Sequence, residues 1–338
     1  MAPPWHRVLL RASLLTALLS LPGACQKPGS PGYERTVEPP RPKLSSDGGL
    51  GARKSGGTYT QVSALNPVPS GKQHSAFSLK RLNHPTRLVR RGKSPQGHAD
   101  PVAADGVRPL TYTAESRTLK AWLASPHSDI LRGPSGYPTI VYIHAGFALT
   151  SEDIRAVEPL RAAGFVVFLP TFRAENANPG DHEMLFGELD DVVAAVQFVR
   201  QQSGTDPSKI AVFGTATGGM LAALFSLLDG PAVLDTGSIA GIPGEDAFDL
   251  LPIPFENTDE ERSLRLFLPN AADIQQPHLA CVSGQDVALV GAARQARARA
   301  ASTKLLELEV VSGPHPSSVS ACIERYRERL TGRLAQLN

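Results

Sequence analysis

Six consecutive residues, Gly214-Thr215-Ala216-Thr217-Gly218-Gly219, have the spacing of a turn that presents one side chain for chemistry. They follow the apolar run Ile210–Phe213 and precede helix-forming residues from Met220 to Leu228. Glycines two before and two after a central residue let a strand pass sharply into a helix, with that residue exposed at the apex. In G-x-S-x-G, the nucleophile elbow, the apex offers a serine oxygen. Here it is Ala216, which has no oxygen, so no acyl-enzyme can form on it. Thr215 and Thr217 flank the apex but leave the turn in other directions, and Thr217 reads as the N-cap of the following helix. The turn lacks the G-x-G-x-x-G order and a P-loop lysine. The chain contains neither H-E-x-x-H nor C-x-x-C, so neither a metal nor a cofactor is expected.

The elements that must position such a turn are legible on both sides of it. Val107–Thr113 and Arg117–Ala124 are β-type runs joined by Ala114-Glu115-Ser116, a hairpin pattern. Pro138–Ile143 is a continuous apolar strand of the kind buried on both faces, Phe165–Leu169 is another buried strand, and Lys209–Phe213, Val233–Ile239, His278–Ser283 and Leu305–Val311 read as further strands. Between them lie helices. Ser151 caps one that Gly164 ends; Leu185, Leu189, Val192, Val196 and Val199 mark the face of another; two more cover Asp286–Ala301 and Ser318–Leu334. Strand and helix in alternation mean an α/β domain with a mostly parallel sheet covered on both faces and antiparallel strands at its N-terminal edge. It extends from 106 to 338 as one unit, and Gly244–Gln276 is a candidate lid.

Four ordered motifs then carry a resemblance. They are Tyr142-Ile143-His144-Ala145-Gly146-Phe147, Gly164–Pro170 continuing to Arg173-Ala174-Glu175-Asn176 and Pro179-Gly180, Asp206–Gly214, and the glycine-rich turn itself. Together they resemble the H-G-G-[FP] loop, the A-G-[FY]…R-G-x-N region, the D-P-x-[RK]-I approach and the G-H-S-x-G-G elbow of α/β-hydrolase-fold proteins. The resemblance is to bacterial prolyl oligopeptidase-like and dipeptidyl-peptidase-like serine hydrolases. It implies that Ala216 stands at the nucleophile position, Asp286 at the acid and His315 at the histidine, in the chain order this fold uses. It implies backbone oxyanion donors at Thr217 and at Gly146 or Phe147, with Gly214, Gly218 and Gly219 as the structural elbow and His144 as a brace of its loop. Taken singly, Asp286 is also a helix cap and His315 a solvated loop histidine. Two functions follow: a binding or regulatory module that accepts small peptide, acyl or ester ligands in the old cleft, and an active serine-type peptidase or esterase. Ala216 separates them.

The first hundred residues read as an address and a tether. Arg7 and Arg11 precede the short apolar stretch Leu14–Leu21, and Pro22-Gly23-Ala24 leads to Cys25, the pattern of an export signal over residues 1–25. A cysteine at that point resembles the bacterial lipoprotein signal, although Pro22 stands where that motif prefers leucine. This implies lipidation at Cys25 and an envelope location on the membrane. Residues 26–105 are rich in Pro, Gly and Ser and carry 13 Lys/Arg against 5 Asp/Glu, so they read as a solvated basic tether. Within it Arg87, Arg90, Arg91 and Lys93 form a cluster that could meet anionic lipid or simply keep a linker soluble. From Gly106 onward the balance is 19 against 27, an acidic globule with no expected affinity for nucleic acid. Cys281 and Cys322 are either an even disulfide pair or two buried thiols.

Overall fold

A computed structural model describes residues 74–97, 99–249 and 252–337. The export signal with Cys25, and the tether as far as residue 73, lie outside the described residues. Eight strands form one sheet: β1 (Val107–Ala114), β2 (Arg117–Ala124), β3 (Tyr137–Ile143), β4 (Val166–Pro170), β5 (Thr205–Thr215), β6 (Asp235–Ile239), β7 (His278–Ser283) and β8 (Leu306–Val311). Their spatial order is β1-β2-β4-β3-β5-β6-β7-β8. The β1–β2 and β2–β4 pairings are antiparallel, and β3 onward is parallel throughout.

Alternate side chains along each strand enter different cores, as a period of two requires. On β3, Val141 and Ile143 join one apolar cluster while Ile140 and Tyr142 join the other. On β5, Ile210 and Val212 face the first, Ala211 and Phe213 the second. The first cluster is closed by α4 (Phe186–Arg200) and α5 (Thr217–Phe225), the second by α2 (Ser151–Ala156), α3 (Glu158–Ala162) and α8 (His315–Ala335). The helix α7 (Val287–Arg299) sends Ala292 and Ala296 to one cluster and Leu289 and Ala293 to the other. Burial on both faces is why the stretches Ile140–Ile143 and Ile210–Phe213 are unbroken apolar runs.

Several boundaries differ from expectation for local reasons. The helix from Ser151 to Gly164 is two short helices, divided at Val157. Its cap is Thr150 rather than Ser151: Thr150 accepts the Asp153 N–H, and the Asp153 carboxylate accepts the Thr150 N–H at 2.8 Å. The segment Gly244–Gln276 carries α6 (Asp259–Ser263) and a 3₁₀ turn over Leu268–Asp273. Cys281 and Cys322 are joined in a disulfide, so the open choice between bond and thiols resolves to the bond, tying β7 to α8.

The expectation of a solvated tether up to Asp105 is corrected for its C-terminal part. Ser75 caps a helix, α1 (Ala76–Asn83), whose Phe77 is fully buried in the first core cluster. Arg81 of α1 pairs with Asp190 at 2.9 Å and lies over the Phe186 ring. The basic cluster is spent within the chain: Arg91 pairs with Asp181, Arg90 donates to the Pro252 carbonyl and Lys93 to the Asn178 carbonyl. One eight-residue helix amid Pro and Gly leaves too short a periodic signal to read from sequence, although its packing is extensive. Among the described residues no helix is long and apolar enough to cross a membrane.

Candidate functional site

The glycine-rich turn connects β5 to α5, at the carboxyl end of the central parallel strand where open α/β sheets carry their sites. Ala216 is at its apex with φ 50° and ψ −114°, a conformation that costs a non-glycine residue about 1–3 kcal/mol. Its surroundings impose that backbone. The Ala216 N–H donates to the Ile239 carbonyl at 2.8 Å, and its own carbonyl accepts from Met220 at 2.9 Å. The glycines are required by contact: a Cβ on Gly214 would lie 2.2 Å from the Gly218 oxygen, and one on Gly218 would lie 2.3 Å from the oxygens of Ile143 and His144. The last contact also places the turn directly against the loop after β3.

Thr217 is not the N-cap. Ala216 occupies that position, Thr217 is the first helical residue, and its hydroxyl is buried with no hydrogen-bond partner. A cap must keep non-helical dihedrals, and the strained apex already supplies them. Thr215 is held beneath the turn, its hydroxyl bonded to the Tyr142 hydroxyl at 3.1 Å.

The loop after β3 is braced by a buried charge pair. His144 Nε2 lies 3.0 Å from Glu175 Oε2, its ring stacks on Phe172, and both partners are almost fully buried. Burial alone would push the His144 pKa down, but the Glu175 carboxylate and Asp153 push it the other way, raising it to about 9. The ring is therefore an imidazolium clamped to its partner. It braces the loop and is unsuited to proton transfer near neutral pH. Glu175 also accepts the Phe172 N–H at 2.9 Å. Arg173, in the segment after β4 that carries Glu175, makes two bonds to Asp191, at 3.0 and 2.8 Å, and one to Glu183.

Beyond His144 the loop turns at Gly146 (φ +74°), and the next N–H, that of Phe147, donates to the Gln96 side-chain carbonyl at 2.6 Å. The Phe147 carbonyl accepts from the Ser94 hydroxyl. The Phe147 ring meets His182 edge-on at 5.2 Å, and His182 Nδ1 lies 3.1 Å from Glu188 Oε1 with both side chains buried. Burial disfavours the Glu188 carboxylate, yet the His182 contact holds its pKa below the ordinary value.

Asp286 stands at the end of the β7–α7 connection and caps α7, accepting the Leu289 N–H at 3.2 Å. His315 is the first residue of α8, three residues earlier than the helix read from sequence; its side chain lies outside the described residues. The structure thus brings the turn around Ala216 against the start of the β3 loop, at Ile143 and His144, with Gly146 and Phe147 next along that loop. Gln96, Glu175 and the His182–Glu188 pair were missed. Glu175 lies within a matched motif, where an acid between apolar runs was a usable signal for a buried partner. Gln96, in a stretch without periodicity, offered none.

Strand order, the sharp strand-to-helix turn and the loop packed against it define an α/β-hydrolase fold. A model of the dienelactone hydrolase family matches residues 119–314, and the chain belongs to that family. An uncharacterized peptidase, YtmA, from Bacillus subtilis is 24% identical over 123 residues, 35% of this chain and 44% of that protein. Among solved structures, a puromycin-hydrolyzing peptidase from Mycobacterium tuberculosis superposes with a TM-score of 0.55 at 17% identity, over 67% of this chain and 39% of that one. Est1E from Butyrivibrio proteoclasticus gives 0.52 at 17% identity, over 67% of this chain and 99% of that one. The acylaminoacyl peptidase of Pyrococcus horikoshii gives 0.52 at 15% identity, over 66% and 40%. The chain spans less than half the length of its curated relative and of both peptidase structures. These likenesses bear out the fold; they do not carry an activity across.

Proposed function

We propose that this member of the dienelactone hydrolase family has lost its nucleophile and works as a carbonyl-binding or regulatory module. Ala216 at the strained apex carries the reading. An elbow kept at a conformational cost of about 1–3 kcal/mol, with glycines that tolerate no Cβ, retains the frame while the atom that would attack is missing. A cleft so built binds an acyl, ester or peptide carbonyl through the Phe147 N–H and the first-turn N–H of Thr217, which has no intrahelical acceptor. It forms no covalent intermediate. In this reading Asp286 and His315 stand at the positions of the family's acid and histidine, without a hydroxyl to activate.

The same reading places the protein outside the cytoplasm, lipidated at Cys25. The Cys281–Cys322 bond supports this, because disulfides persist in oxidising compartments, and Cys25 is the third of the three cysteines in the sequence. A fluorophosphonate probe tests the catalytic part. The purified wild-type chain is expected to stay unlabelled, and labelling of any serine or threonine would establish an active serine-type hydrolase instead. Intact mass of the membrane-associated protein tests the anchor, with a diacylated N-terminal cysteine expected and an intact Met1 contradicting it.

A further inference from the structure

The segment 84–97 runs along the segment after β4 to the loop after β3 as a strap, its base at Thr86–Arg90 and its tip at Ser94–Gln96. At the base, the buried Glu261 accepts from Thr86 Oγ1 at 2.9 Å and from the Arg87 N–H at 2.6 Å, with Arg265 bonded to both Glu261 and Thr86. The Arg265 guanidinium also lies 3.9 Å over the Phe255 ring, and Leu88 pairs with Phe255 as an antiparallel bridge. Val89 and Arg90 both donate to the Pro254 carbonyl. Toward the tip the bonds run to the segment after β4: Arg91 pairs with Asp181, Lys93 donates to the Asn178 carbonyl, the Gly92 carbonyl accepts from the His182 N–H, and the Ser94 N–H donates to the Ala174 carbonyl. Beyond them the Ser94 hydroxyl and the Gln96 side-chain oxygen bond the β3 loop.

Those last contacts fall on one residue, Phe147, on the two peptide groups that flank its Cα. Ser94 donates to the carbonyl of Phe147, and the Gln96 side-chain oxygen accepts the N–H of the same residue at 2.6 Å. Gly146 makes the approach possible, since a Cβ there would lie 2.5 Å from that oxygen. A primary amide carbonyl therefore occupies the donor at which an acyl or peptide carbonyl would be polarised. Gln96 itself is half-buried.

We infer that the strap is a built-in occupant of the cleft: the Gln96 amide fills the Phe147 oxyanion donor, and a carbonyl ligand binds only as the tip of the strap withdraws. The inference rests on the carbonyl-binding reading above and adds what regulates that site. Release needs the loss of the part-buried hydrogen bonds that Ser94 and Gln96 make to Phe147, while the Glu261–Arg265 anchor at the base stays intact. Ligand chemistry follows from the occupant: a neutral carbonyl with an amide or ester substituent, narrow enough to approach over Gly146.

Two measurements decide it. Amide hydrogen exchange at Phe147 is compared in the wild-type chain, Gln96→Ala and Gln96→Glu. Exchange is expected to be about fivefold faster in Gln96→Ala, the factor an ordinary net hydrogen bond represents, and near wild type in Gln96→Glu, which keeps an acceptor oxygen. Unchanged exchange in Gln96→Ala overturns the proposal. Fluorophosphonate labelling is then compared between Ala216→Ser and Ala216→Ser/Gln96→Ala, with about fivefold faster labelling expected in the double variant for the same hydrogen bond. Equal labelling of the two means that the strap does not gate the cleft. If neither variant labels, the elbow reading fails, and exchange at Phe147 alone still decides whether the strap holds that donor.

Discussion

Replacing Glu175 by Gln should remove a pH-dependent part of the stability that the His144 pair supplies. The folded-state pKa of His144 is raised from 6.5 to about 9, against the pull of burial, because a carboxylate sits 3.0 Å from Nε2. A histidine raised in this way favours the folded state in full below 6.5, and the contribution fades as pH climbs through 9. The interval between 6.5 and about 9, at about 1.4 kcal/mol per pH unit, comes to about 3 kcal/mol. Both side chains are almost fully buried, so solvent screens little of it. Urea unfolding of wild type and Glu175→Gln at half-unit steps from pH 6 to pH 9.5 measures the difference. The wild type should lose about 3 kcal/mol relative to the variant across that range, or about 5–10 °C of Tm for a domain of this size. Parallel stability curves for the two proteins would refute the reasoning, since His144 would then carry no charge that Glu175 compensates.

Gly218→Ala should prevent the elbow from closing, because the added Cβ meets two backbone oxygens at 2.3 Å; a loss of about 3 kcal/mol or more in thermal unfolding is expected, and a neutral effect would mean the turn is not so packed. The double variant Cys281→Ala/Cys322→Ala opens a loop with a sequence separation of 41, for which chain entropy gives about 4 kcal/mol of destabilisation, readable in denaturant at fixed pH. Asp286→Ala removes the cap of α7 and should cost about 1 kcal/mol; the same change in the Ala216→Ser background, assayed for hydrolysis, separates capping from a role as the acid.

The strands β3 and β4 were legible because burial on both faces keeps their sequences apolar, and β7, also buried throughout, falls at His278–Ser283 where the sequence placed it. The apex was legible because close backbone approach leaves glycine no substitute at 214 and 218. What the sequence hid was decided by partners distant in the chain. Gln96 and Phe147 are unrelated in sequence, and the basic cluster Arg87–Lys93 pairs with acids and carbonyls between 178 and 256, so local composition reported only its solubility. Thr217 was misread for a different reason: propensity favours threonine as a cap, but the strained alanine before it holds that position. The disulfide turned on a Cα separation of 5.7 Å, a distance between β7 and α8 that no spacing encodes.

The central claim is that a complete elbow surrounds a missing nucleophile, and restoring the hydroxyl tests it most directly. Hydrolysis of p-nitrophenyl acetate and of a panel of aminoacyl anilides is to be measured for wild type and Ala216→Ser, with matching unfolding curves to confirm that both are folded. No turnover above background is expected for the wild type. The variant is expected to show measurable hydrolysis together with fluorophosphonate labelling at residue 216, since the backbone donors of such a site sustain about 10³–10⁴-fold over water even with an incomplete triad. A folded Ala216→Ser that neither hydrolyses nor labels, or a wild type that does either, would contradict the claim.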